Sequence, residues 1–238
     1  MKAMKLFMMM LCISSIACSP KFYTPNTQNT PMLQHKGQAS ATLAGNGNQV
    51  EIQGAYAVTD HVGIQVNGGA FIPKDQDNGN GGSGKLVEFG AGYFTPISDK
   101  ISFEAYGLFG MGSFENYLPS TFDANPSSSA NIEAKLMRYG IQPGINYQTR
   151  SFGIGLSSRV TNLSYSDIKG DLIFGGVDQV EFLQDRKSNL LIEPAITLRG
   201  GTERIKLQLQ IMASINASYD DFRQDDGTLT LGVNYRLK

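Results

Sequence analysis

From residue 37 to the end of the chain, apolar and polar side chains alternate with period 2. They do so over ten segments: 37–44, 49–59, 61–72, 85–95, 100–112, 132–148, 150–163, 188–199, 203–217 and 227–238, most of them 11 to 17 residues long. Strands of soluble domains average about 5–6 residues, whereas about 9–11 tilted residues cross an outer membrane. One face of the second segment carries Val50, Ile52, Tyr56 and Val58; the same face of the ninth carries Ile205, Leu207, Leu209 and Ile211. Along the middle of the ten segments no Asp, Glu, Lys or Arg falls on this face; the charges that share its parity, Lys85, Glu133, Lys135, Arg150 and Glu203, stand toward segment ends. A lipid-facing Arg or Lys costs about 2–4 kcal/mol at the bilayer midplane and little near its edges, so a face without charge along its middle is what lipid contact demands. The pattern predicts an all-β fold, an antiparallel up-and-down transmembrane β-barrel of ten strands. The first segment offers only Ala39, Ala41 and Leu43 to the apolar face, which leaves eight strands as the alternative count.

The opposite face is polar or small: Gln53, Gln65, Asn67, Gln142, Gln208, Gln210 and Asn234 alternate there with many glycines, among them Gly63, Gly90, Gly153 and Gly155. It also carries the charges Glu51, Glu88, Glu104, Arg138, Arg159, Glu193, Lys206 and Arg236. Small barrels are filled by side chains, and a buried charge without a partner costs several kcal/mol. These eight groups are therefore expected to pair across a narrow lumen and plug it, with Glu104, Lys206 and Arg236 lower than the other five. Solvated charges in a wet lumen are the competing reading.

The connections alternate in size. Turns near 59–60, 96–99, 148–151 and 200–202 are short; the segments 73–84, 113–131, 164–187 and 218–226 are long and rich in Gly, Asn, Asp and Ser. Outer-membrane barrels place short turns in the periplasm and long loops outside. Ten strands then put both ends of the barrel domain on the short-turn side. Tyr56, Tyr93, Phe103, Tyr147, Phe152 and Tyr235 lie toward that end, and Phe89, Phe109 and Tyr139 toward the other, as two interfacial girdles would require. Pro143 and Pro194 fall inside strand segments, where each removes a donor and predicts a bulge.

The first 36 residues do not share the alternation. Lys2 and Lys5 precede the apolar run 6–17 (LFMMMLCISSIA), which closes on small residues. This is the layout of a secretory signal peptide, assigned to residues 1–17. Residues 18–36 then read as a lipidated N-terminus and an extended tether, because three prolines and a series of Thr, Asn and Gln leave them no apolar period. Residues 37–238 form the barrel domain. Cleavage before Cys18 leaves one cysteine in the mature chain and no internal disulfide.

Chemistry is sparse. The 20 Lys and Arg against 21 Asp and Glu give a net charge of -1, which excludes a basic nucleic-acid surface. The two histidines, His35 and His61, fall in the tether and in a short turn, far from an outer mouth where a general base of a surface enzyme would work. No catalytic residue, cofactor site or metal site is assigned. Asp220, Asp221, Asp225 and Asp226 cluster in the last long loop but do not follow the calcium-loop pattern. Residues 79–84 (GNGGSG) lack the Lys-Ser/Thr ending of a phosphate loop and read as a flexible loop.

Ser15-Ile16-Ala17-Cys18 resembles a lipobox, with the Cys18 thiol as the site of lipid attachment. Together with FYTPNTQNTPMLQHKGQ and the following AYAVTDHVGI, it resembles the small outer-membrane β-barrel lipoproteins of Gram-negative bacteria. The last segment, LTLGVNYRLK, is similar to the C-terminal signal read by the barrel-assembly machinery, although it continues past Tyr235 rather than ending on an aromatic residue. The resemblance implies an integral protein of the cell outer membrane, with outer-membrane lipid and lipopolysaccharide around its wall. The expected role is structural or surface-binding, with an unknown surface ligand, N- and C-termini in the periplasm and no enzymatic activity. A small porin-like channel for ions or small solutes is the alternative.

Overall fold

The computed structural model describes residues 20–72, 81–118 and 130–237. Its strands are β1 (Ala39–Gly45), β2 (Gln49–Ala57), β3 (Val62–Phe71), β4 (Gly81–Pro96), β5 (Ile101–Tyr117), β6 (Asn131–Gln148), β7 (Phe152–Gly170), β8 (Ile173–Phe174), β9 (Val177–Asp178), β10 (Ser188–Gly201), β11 (Ile205–Ala213), β12 (Ile215–Asn216) and β13 (Gly227–Leu237). One helix, α1 (Gln179–Asp185), lies between β9 and β10. Antiparallel pairing runs from β1 through β7 to β10, β11 and β13, and β13 returns to β1, pairing Leu43 with Val233. The barrel is closed and ten-stranded, with β12 a short continuation beside β10; eight strands is thereby excluded. Closure leaves no sheet edge.

The alternation becomes an outside and an inside. Ile52 is 66% exposed, Leu207 70% and Leu231 66%, while their neighbours Gln53, Gln208 and Thr230 are buried. The ten expected segments correspond to the ten barrel strands; β6 matches its expected span to within one residue, but its neighbours β4, β5 and β7 extend farther toward the long-loop end than the alternation indicated. Strands β4 to β7 have 16, 17, 18 and 19 residues against 9 in β2 and β11. Residues 81–84, expected to be loop, are thus the start of β4, and 164–170 the end of β7. The reason is mutual support: Gly81 pairs with Tyr117, Asn116 with Ile132, and Ile132 with Gly170, so four strands rise together as one raised wall.

Inside the raised wall the inner face turns apolar. Phe114, Ile132, Ala134, Leu163 and Tyr165 pack with Leu183 of α1 and with Leu172, Leu191 and Phe222. The segment expected to be a polar loop beyond β7 is therefore ordered structure: a β8–β9 hairpin, turned at Gly175 and Gly176 with φ of 61° and 77°, leads into α1. Asp178 caps the helix, accepting from the backbone N–H of Val180 at 2.8 Å and of Glu181 at 3.2 Å.

Two further expectations are corrected. Pro143 and Pro194 make no bulge: Pro143 stands opposite Ala105 and Pro194 opposite Ser158 in unbroken register. Each lacks a single donor, and the long runs of pairs on either side hold the register. The one register shift between β6 and β7 lies instead between Glu133 and Lys135.

The larger correction concerns the tether. Residues 20–36 are extended but do not lie outside the barrel. They run down its axis. The backbone N–H of Phe22 donates to the Arg223 carbonyl and Tyr23 bridges Gln224, both beyond β12 at the long-loop end. At the other end, the backbone N–H of Lys36 donates to Asp60 in a short turn. The described chain thus starts at the long-loop end, and β13 finishes at the short-turn end, so its two ends are opposite rather than together. At about 3.3 Å per residue, residues 22–34 span about 40 Å, enough to traverse the barrel. The expected signal peptide, residues 1–17, and the expected lipid-attachment residue Cys18 lie outside the described residues.

Candidate functional site

The site is the lumen and the segment inside it. A strand of the segment's kind has donors and acceptors but no neighbouring ladder, and burying them unpaired would be costly. The wall supplies partners through its amides. Gln210 Nε2 donates to the Gln28 carbonyl at 2.9 Å and its Oε1 accepts from the Gln28 N–H at 2.7 Å. Gln53 donates to the Thr27 carbonyl at 2.8 Å and Gln142 to the Asn29 carbonyl at 2.7 Å. Glu51 accepts from both the N–H and the hydroxyl of Thr27 at 3.0 Å. The glutamines of the polar face thus replace a β-ladder. The prolines at 20, 25 and 31 cost little here, because no sheet partner waits for their missing N–H.

Glycines clear the path. A Cβ on Gly155 would lie 3.1 Å from the Met32 Cε, and one on Gly63 3.1 Å from a methyl of Leu33. Phe22, Tyr23, Thr27, Gln28, Thr30, Met32 and Leu33 are each buried to 4% exposure or less, so the segment fills the bore rather than lying loosely in it.

All eight charges assigned to the lumen from the sequence are buried, and they fall into two levels. In the upper level Arg138 meets Glu88 at 2.7 Å, Arg159 meets Glu193 at 2.6 Å, and Arg159 approaches Glu88 at 4.0 Å. The segment completes this level. The Tyr23 hydroxyl accepts from Arg138 at 2.9 Å and donates to Glu193 at 2.8 Å, and Asn26 accepts from Arg138 at 2.6 Å. Asn67 and Ser214 donate to Glu88 and Glu193 at 2.9 and 3.2 Å. Glu51 stands apart from the arginines and serves the segment.

The lower level holds Glu104, Lys206, Arg236 and a residue the sequence reading did not assign, Arg199. Arg199 is on the same parity as Glu193, so its place on the inner face was legible. Glu104 accepts from the Met32 N–H at 3.3 Å, Arg236 donates to the Met32 carbonyl at 3.2 Å, and Arg199 donates to Gln208 at 2.9 Å. Tyr23 and Asn26 had no sequence signal, because the segment carries no period that would mark it as internal.

At the long-loop end the acidic cluster has structural partners. Asp221 accepts both forks of Arg186, at 3.0 and 2.7 Å, and Asp225 accepts from the Thr24 hydroxyl at 2.6 Å. Among the described residues no group of His, Cys, Asp and Glu is arranged to hold a metal ion. Arg186 and Arg223 lie against the Phe182 ring, 4.0 and 5.0 Å from its centroid. His61 sits in its short turn, 5.5 Å from the Tyr93 ring, and His35 is exposed at the same end.

No protein-family model matches the sequence, and no curated protein matches it. Among solved structures the chain is similar to the COG4313 outer membrane channel from Pseudomonas putida F1, at 12% identity and a TM-score of 0.44, over 89% of this chain and 99% of that one. It is similar to the KdgM porin at 10% identity and a TM-score of 0.37, over 84% and 99%. It is also similar to LpxR from Salmonella typhimurium at 9% identity and a TM-score of 0.34, over 84% and 99%.

Proposed function

We propose that this protein is an outer-membrane β-barrel closed to solutes by its own N-terminal segment, acting through its capped long-loop end in a structural or surface-binding role. The membrane reading rests on the wall: a closed barrel with a broad exposed aliphatic exterior, whose outward charges Lys85, Glu115, Glu133 and Lys135 lie toward the long-loop end, would aggregate in water, and lipid is the solvent that tolerates it. The closed-lumen reading rests on one observation, the near-complete burial of residues 22–33 inside the bore.

Orientation follows from loop length. Long loops face outward in such barrels, so Pro20 belongs to the cell surface. Cys18 is two residues ahead of Pro20, and two residues reach only about 7 Å. An acyl group on Cys18 would therefore enter the outer leaflet, whereas the sequence pattern put the N-terminus in the periplasm.

Planar-bilayer recording tests the closure. The full chain should give no steady conductance, whereas a chain lacking residues 20–34 should give open-channel steps if it still folds. Steady single-channel steps from the full chain would make the porin-like channel the better reading. Tyr23→Ala provides a milder variant that keeps the segment but removes its anchor, and it should conduct intermittently.

A further inference from the structure

The upper level of lumen charge is matched and the lower level is not. Arg199, Lys206 and Arg236 are 2%, 5% and 8% exposed, and they repel one another. Among the described residues Glu104 is the one buried carboxylate at this level. Among the described residues, none of these four groups forms an ion pair within 4.0 Å, in contrast to Arg138 and Arg159 above them. Nη1 of Arg199, Nε of Arg236 and Oε1 of Glu104 make no hydrogen bond. The Lys206 ammonium reaches only the Glu203 backbone carbonyl, at 3.4 Å. Buried cations in this state are expensive unless something negative joins them.

Space for a counter-ion is present. A cavity of about 610 Å³ opens at the short-turn end, and both Lys206 and Arg236 line it. Lys100, Arg150 and Arg204 surround it; of the two acids on the lining, Asp99 and Glu203, the latter meets Arg150 at 3.2 Å. The arrangement suits a compact oxyanion: a lysine supplies a point charge and an arginine a planar donor fork. We infer that this vestibule binds a phosphate-sized oxyanion between Lys206 and Arg236, with the charge of Arg199 behind them. The cavity is several times larger than phosphate, so the phosphoryl group is either free inorganic phosphate or the headgroup of a phospholipid.

Titration calorimetry on the full chain, folded in non-ionic detergent at constant ionic strength, tests this. The two probes are inorganic phosphate and glycerophosphoglycerol, the soluble headgroup of phosphatidylglycerol. At least one should bind saturably, and competition between them identifies the source by which binds tighter. Lys206→Gln and Arg236→Gln should each weaken that binding at least tenfold, and Glu104→Gln should tighten it. Lys206→Gln should also leave the unboiled, folded gel band stable to the same or a higher temperature, because it removes an uncompensated cation; a merely structural lysine would lower it. Absence of saturable binding by both probes overturns the proposal, as does affinity within twofold of the parent in both cation variants.

Discussion

Tyr23 joins the segment to the wall through one oxygen atom, which accepts from Arg138 and donates to Glu193. A phenolic hydroxyl can do both at once, whereas neither arginine nor carboxylate can bridge the other two in that way. Tyr23→Phe keeps the ring and removes one hydrogen bond each from Arg138 and Glu193, which retain their ion pairs with Glu88 and Arg159. It should lower stability by about 1–3 kcal/mol, read as a lower temperature at which the folded band disappears from an unboiled gel. An unchanged midpoint would mean that the hydroxyl is not the joint. The wall side of this joint was legible, since Arg138 and Glu193 stand on the polar parity of their strands. The segment side was not, because Tyr23 is a single aromatic residue in a run without period.

At the scale of elements, two parts of the chain gain their order from neighbours. The inner segment has no ladder of its own and borrows one from Gln53, Gln142 and Gln210. The cap, formed by the β8–β9 hairpin and α1, is too short to be stable alone and rests on the apolar inner face of the raised wall. Its outer clamp is Arg186 with Asp221. The Arg186 guanidinium holds the Asp221 carboxyl below its ordinary value of 3.8. A carboxylate with a depressed pKa stabilises the folded state above its unfolded pKa and loses that contribution as pH falls through its folded pKa. Pepsin cleavage at the neighbouring Phe222 should therefore increase as pH falls through that range. Asp221→Asn, which has no charge to lose, should be cleaved at a rate that follows pepsin activity alone. The same acid dependence in Asp221→Asn would remove the clamp from the explanation.

For the whole molecule, chain direction is the decisive property. The described chain begins at the long-loop end, passes down the lumen, turns at Lys36 and ends with β13 at the short-turn end. An epitope inserted between Ser19 and Pro20 should then be accessible to antibody on intact cells, while one appended after Lys238 should become accessible only after the outer membrane is permeabilised. The reverse pattern, or concealment of both, would contradict the proposed orientation. The same passage explains why a barrel of this size holds a matched charge layer above and an unmatched one below: the segment contributes Tyr23 and Asn26 to the upper level but only the backbone and apolar side chains of Met32 and Leu33 near the lower one.

By itself the sequence determined the wall. Side-chain parity along a strand is a local property, and a wall with an apolar outside and a polar inside repeats it in every strand, so the ten segments, their apolar face and the eight inner charges could be read without coordinates, while closure at ten rather than eight strands could not. Only the tertiary structure decided what fills the wall. The polar face of β2 or β11 serves equally well against water, against another charge or against a polypeptide backbone, and the sequence of residues 20–36 suits both a solvated tether and a buried plug. That choice depends on contacts between residues as far apart as Gln28 and Gln210, which exist only once the barrel has closed around the segment.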